Sequence, residues 1–282
     1  MSQTIRLGIS TCPNDTFAFH AMLHRRVDWR GLDFQIELLD IQQLNSRAFQ
    51  GELDIAKVSF HAALLLADRM LVLPSGSALG FGVGPLLLSA RNNDRPTTLT
   101  QLTLFPGEHT TATLLFRMFY PGTSRLEQVV FSEIMPRLKS QTADFGVCIH
   151  EGRFTWQSEG LYLVEDLGTR WEAETNCPLP LGGIVGLRSL GLDTLRTVQA
   201  VIQDSLNYAL ANRNETLPTM RHYAQEFDDA VLMQHVDLYV NDWTVQLGTV
   251  GQSALNELSA CAQQIGLVAK GSHRLEILDY QT

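Results

Sequence analysis

The chain has 282 residues, of which 45% are hydrophobic and 18% charged, with a formal net charge of −9 at pH 7. That length suits one large or two moderate domains, and the composition is that of a globular protein, not a disordered one. An acidic chain without a basic stripe is a poor partner for nucleic acid, whose phosphates require clustered Lys and Arg.

Residues 5–10 read as a short strand, and Asn14 or Asp15 then supplies a helix N-cap ahead of residues 16–23. Residues 33–40 alternate with Phe34, Ile36 and Leu38 inward, and Ile41, Leu44 and Ala48 continue at helical spacing to Gly51, a suitable C-cap. Residues 54–59 form a second buried strand, followed by a helix over 60–67. This alternation predicts a mostly parallel sheet covered by helices. Residues 75–84 carry four glycines and turn into a crossing strand at 85–89. A second set follows: a strand at 102–105, a helix over 109–120, a strand at 128–132, a short helix broken near Pro136, and a strand at 144–150. After a strand at 161–167, residues 180–187 read as a strand with a glycine pair, and nearly everything beyond is helical. The expected fold is therefore α/β and two-lobed, resembling the type II periplasmic-binding-protein architecture, with two crossover strands joining the lobes. Residues 1–90 with 180–282 make a discontinuous large lobe, residues 91–179 a small one, and the substrate cleft lies between them.

No apolar run reaches the ~18 residues needed to span a bilayer, and the first ten residues lack the features of a signal peptide, so a cytoplasmic protein with no membrane partner is expected. Cys12, Cys148, Cys177 and Cys261 are widely spaced and form no C-x-x-C pair, which disfavours a disulfide framework or a zinc site.

Three loop segments carry the candidate chemistry. The first, Thr11 to Thr16, follows strand one at its C-terminal end, where open α/β sheets place ligands; there Asn14 and Asp15 divide between capping and facing the cleft. The second opens a helix with Thr110, Thr111 and Ala112, whose consecutive N–H groups and hydroxyls suit a carboxylate or phosphate, although simple capping by a threonine explains it equally well. Lys57, Val58 and Ser59 end a buried strand that faces the same cleft. The third is His150, at the end of a nearly all-apolar strand, where a partly desolvated imidazole titrates near neutrality as a general base must. By itself such a histidine is more often structural; the convergence of three loop sites favours the catalytic reading. His20 and His24 lack the H-E-x-x-H pattern and read as surface residues, and no P-loop, G-x-S-x-G elbow or dinucleotide fingerprint occurs.

At these residues the chain resembles the 1,4-dihydroxy-6-naphthoate synthases of the futalosine route to menaquinone. The resemblance rests on Ser10-Thr-Cys-Pro-Asn-Asp-Thr-Phe17, Lys57-Val-Ser59, the glycine-rich segment 75–85, Pro106-Gly107 with His109-Thr-Thr-Ala112, Ile149-His-Glu-Gly-Arg-Phe154, Leu179-Pro-Leu-Gly-Gly183 and Tyr239-Val-Asn241, in order along the chain. It implies cleavage of cyclic dehypoxanthinylfutalosine into 1,4-dihydroxy-6-naphthoate and dihydroxyacetone, a carbon–carbon lyase reaction without metal or other cofactor. It also places the family's catalytic histidine on His150 and its substrate contacts on Lys57 to Ser59 and Thr110 to Ala112. Thr11 and Trp156 depart from the residues usual in the family. The expected partner is a small anionic substrate, with a homodimer an open assembly state. Two alternatives stand beside this reading: a chorismate dehydratase-like enzyme of the same pathway, which the His-Glu-x-Arg-Phe segment disfavours, and a non-catalytic protein that binds a small carboxylate.

Overall fold

A computed structural model describes residues 3–149, 152–224, 228–269 and 274–280. Strand β1 (Thr4–Ser10) is followed by helices α1 (Pro13–Ala18) and α2 (His20–Leu23), strand β2 (Asp33–Leu39), helix α3 (Ile41–Gln50), strand β3 (Ile55–Ser59) and helix α4 (Phe60–Leu66). Strands β4 (Met70–Val72), β5 (Ala78–Gly80), β6 (Leu86–Ser89) and β7 (Leu102–Phe105) lead to helix α5 (Thr111–Phe119), strand β8 (Arg125–Gln128), helix α6 (Phe131–Lys139), strand β9 (Phe145–Cys148) and helix α7 (Gly152–Thr155). The chain continues through strand β10 (Tyr162–Asp166), helix α8 (Leu167–Thr175) and strand β11 (Leu179–Leu187). Helices α9 (Leu192–Ala211), α10 (Leu217–Tyr223), α11 (Asp229–Tyr239), α12 (Asp242–Val245) and α13 (Gly248–Gln264) complete it.

Local signals set several of these boundaries. Asp40 and Gln43 form a capping box at the start of α3, and Gly51 ends that helix in the left-handed region at φ 72°, where an L-residue would be strained. The first helix differs from expectation. Pro13 sits at its first position and Cys12 is the N-cap, without a side-chain cap bond. A proline there needs no N–H and presets φ, so the helix starts before Asn14 and Asp15, leaving their side chains free of any capping role. The expected single helix over 16–23 is two, separated at Phe19.

The elements build two helix-flanked sheets. The first runs β2-β1-β3-β11-β4 with β5 beside β11, and the second runs β10-β6-β9-β7-β8. Neither is mostly parallel, as the alternation had suggested. The β1–β2, β1–β3, β7–β8 and β7–β9 pairs are parallel, whereas β11 is antiparallel to β3, β4 and β5, and β6 is antiparallel to β9 and β10. Parallel neighbours arise where a helix carries the chain back over its own sheet; a strand arriving from the other lobe has no such crossover and runs the opposite way. Leu86–Ser89, expected at the end of the first lobe, is a strand of the second sheet. The chain thus passes between the sheets at 81–85 and returns after β10.

One hydrophobic cluster is continuous from Leu44, Val58 and Phe60 through Phe105, Leu115 and Phe145 to Trp171, so the lobes share packed surface beneath the cleft. A second cluster packs α1 and α2 and the C-terminal helices on the other face of the first sheet. Of the two histidines expected at the surface, His24 is exposed, whereas His20 is buried against this layer. Nδ1 of His20 and Nε2 of His24 both lie 2.8 Å from the Thr219 hydroxyl on α10. No helix among the described residues is long and apolar enough to cross a membrane.

Candidate active site

The C-terminal ends of β1 and β3 and the start of α1 meet the start of α5 around a cavity of about 100 Å³. Ser10, Asn14, Asp15, Lys57 and Ser59 line it from the first lobe, Thr110, Thr111, Ala112 and Ile149 from the second, and Gly84 and Pro85 from a crossing segment. Val58 is not among its walls. Side chains alternate along a strand, so Val58 points into the core while Lys57 and Ser59 face the cavity. His150 lies outside the described residues.

The first-lobe wall is organised around one buried charge pair. Lys57 Nζ donates to Asp15 Oδ1 at 2.6 Å and to the Gly76 carbonyl at 2.9 Å, and the two side chains are only 5% and 3% exposed. Asp15 also accepts from Ser10 Oγ at 2.5 Å and from Asn14 Nδ2 at 2.9 Å. A buried carboxylate is tolerated only when so many donors meet it. The ammonium has three N–H donors and two are occupied, which leaves one for a ligand. With Asn14 Nδ2 turned to Asp15, its Oδ1 accepts from His235 Nε2 at 3.0 Å. His235 and Tyr239, one turn apart on α11, complete this wall. Neither stood out in the sequence as a site residue; their i, i+4 spacing puts them on one helix face, but only the 221-residue contact to Asn14 reveals which surface they meet.

Across the cleft the threonine hydroxyls are engaged within the protein. Thr110 Oγ1 donates to the Gly107 carbonyl at 3.0 Å and accepts from Thr113 N, capping α5. Thr111 Oγ1 donates to the Leu181 carbonyl on β11 at 2.8 Å. The donors left for an anion are therefore the backbone N–H groups of Thr111 and Ala112, two of the four that a helix start leaves without intrahelical partners.

Besides the Thr111 bond, two contacts tie the lobes: a bond from Ser59 Oγ to the His109 carbonyl, and one from His61 Nδ1 to the Thr110 carbonyl at 3.2 Å. Asn45 Nδ2 holds Ser59 Oγ from behind at 3.2 Å. Burial pushes the His61 imidazole from its ordinary 6.5 down to about 4, with the Thr110 carbonyl offsetting part of that. His61 is therefore neutral in the fold at pH 7. Between pH 6.5 and about 4 the unfolded chain takes up a proton that the folded chain refuses. The stability that neutral His61 confers is fully present above this window and falls by about 3 kcal/mol as pH drops through it. Urea midpoints measured at pH 7 and pH 4.5 should therefore separate more for the parent than for His61→Gln; equal separations would remove His61 from the account.

Comparison with known proteins agrees with this architecture. The menaquinone biosynthesis family model matches residues 5–264. A 1,4-dihydroxy-6-naphtoate synthase of Thermus thermophilus is 40% identical over 267 residues, covering 95% of this chain and 97% of its own. A crystal structure of an Archaeoglobus fulgidus protein superimposes with a TM-score of 0.89 at 29% identity, covering 94% of this chain and 98% of its own. The periplasmic aliphatic sulphonate binding protein of Escherichia coli, at 11% identity and a TM-score of 0.65 over 100% of this chain and 94% of its own, shares the fold alone. The chain has the two-lobed periplasmic-binding-protein fold and belongs to the menaquinone biosynthesis family.

Proposed function

We propose that the protein is a 1,4-dihydroxy-6-naphthoate synthase, a lyase that cleaves cyclic dehypoxanthinylfutalosine into 1,4-dihydroxy-6-naphthoate and dihydroxyacetone, with His150 as general base. The observation that carries this reading is that Ile149, covalently adjacent to His150, lines the same cavity as the Thr111 and Ala112 helix start and Lys57. The Thr111 and Ala112 N–H groups, with the third donor of Lys57, suit the substrate carboxylate. Removal of a proton beside the ring-fused sugar carbon by neutral imidazole starts the cleavage, and aromatisation of the bicyclic product supplies driving force.

Incubation of the purified protein with cyclic dehypoxanthinylfutalosine should yield the naphthoate, detected by absorbance and mass. Absence of product with a retained, saturable affinity for the naphthoate would instead favour a carboxylate-binding module. The cavity, about 100 Å³, is smaller than the ~300–1,000 Å³ of typical ligand pockets. Substrate therefore binds as the cross-lobe bonds open and re-form around it. Thr111→Val keeps the shape of the side chain but leaves the Leu181 carbonyl without its partner in the closed form. Loss of about 1 kcal/mol from closure raises KM about fivefold with kcat nearly unchanged; an unchanged KM would exclude this bond from closure.

A further inference from the structure

We propose that Arg153 is a positioning residue that clamps both interlobe crossings together and thereby fixes the cavity wall at Gly84. Its guanidinium donates through Nη1 to the Gly84 carbonyl at 2.6 Å and through Nη2 to Asp166 Oδ2 at 2.7 Å. Gly84 belongs to the segment leaving the first sheet and lines the cavity; Asp166 ends β10, immediately before the returning segment. The other oxygen of Asp166 caps α8 by accepting from Gly168 N at 2.9 Å and Thr169 N at 3.1 Å. One arginine on α7 therefore holds the outgoing segment by its backbone and the returning one by the carboxylate that starts its helix.

The two segments also touch directly. A Cβ on Gly84 would stand 2.2 Å from Gly168 Cα, and one on Gly168 would stand 2.5 Å from Gly84 Cα. Leu167 N donates to the Pro85 carbonyl at 3.1 Å beside this contact. Backbone packed on backbone leaves no side chain to set the spacing, so the spacing falls to the groups that bridge it. Arg153 and Asp166 are 17% and 18% exposed, sheltered enough for a charge-assisted pair to hold geometry. A planar fork with two divergent N–H donors can serve the carbonyl and the carboxylate at once, whereas a lysine ammonium reaches one of them well.

The test compares the parent with Arg153→Lys, Arg153→Ala and Asp166→Asn. Asparagine keeps a capping oxygen for α8 while removing the charge. Hydrogen exchange should accelerate in each variant at the amides of 84–88 and 152–156 and stay at the parent level in β1 and β3. A uniform rise, or no change at those two segments, would overturn the clamp. This arm needs no substrate. The turnover arm rests on the reading proposed above: kcat should fall about 10²-fold with KM little changed, as misplacement of a catalytic wall predicts. Guanidinium added to Arg153→Ala should restore part of the lost kcat. A fall in thermal midpoint alone, with parent kcat well below that midpoint and no guanidinium response, would make the residue merely structural. If the parent itself yields no naphthoate, the functional reading fails while the exchange result still decides the clamp.

Discussion

His150→Ala should unfold at the parent's midpoint, bind 1,4-dihydroxy-6-naphthoate with the parent's Kd, and lose about 10²–10⁴-fold in turnover, the span that a general base contributes. The binding donors assigned to the carboxylate are main-chain N–H groups of α5 and the Lys57 ammonium, none of which depends on an imidazole at position 150. Binding and chemistry are therefore separable in this variant. The acid limb of the kcat/KM profile, which in the parent follows protonation of the base, should disappear with it, and added imidazole should recover part of the rate. Near-parent turnover would remove His150 from the mechanism, and loss of naphthoate binding alongside turnover would mean that the residue holds substrate and does not activate it.

Strand and helix identity were largely legible because they are local. The alternation around Phe34 and Ile36 gives β2, the Asp40 to Gly51 punctuation gives α3, and the short segments at 55–59 and 102–105, rich in Ile, Val, Leu and Phe, give buried strands. Strand direction was not legible, because it depends on the route by which the chain reaches the sheet, and periodicity carries no record of that route. The same limit applied at the site. The loop after β1 and the start of α5 line one cavity, yet the partners that decide what each side chain does lie far away in sequence: Lys57 is 42 residues from Asp15, and Thr111 is 70 from Leu181. Whether Asn14 or Asp15 caps the helix was open in the sequence, because either side chain can do so; Pro13 starts the helix ahead of both, and the Asp15 carboxylate meets Lys57. His24 is exposed as expected, but the burial of His20 was not legible, because nothing local announces the Thr219 hydroxyl on α10 that it approaches.

The buried Asp15–Lys57 pair carries the largest expected effect on stability. Lys57→Met keeps the aliphatic stem and length but removes the ammonium, leaving the Asp15 carboxylate with Ser10 and Asn14 as its remaining donors in a site only 3% exposed. Breaking one side of such a pair destabilises a fold by about 3–5 kcal/mol, because the surviving charge is neither solvated nor matched. Asp15→Asn in the same background removes that charge while keeping a hydrogen-bonding side chain of the same shape, so the double variant should be more stable than Lys57→Met alone. The urea-unfolding cycle at pH 7 should then return a coupling of about 2 kcal/mol between the two positions. A loss below about 1 kcal/mol in Lys57→Met would mean that the carboxylate finds water or another donor, and the pair would not be the frame of the site. The pair also fixes Asn14, since Asn14 Nδ2 is held by Asp15 and its Oδ1 faces His235. Relaxing the pair should therefore loosen α11 against α1 as well. That predicts faster hydrogen exchange near His235 in Lys57→Met and its partial recovery in the double variant, a long-range effect that follows only if the charge pair organises the wall as a unit.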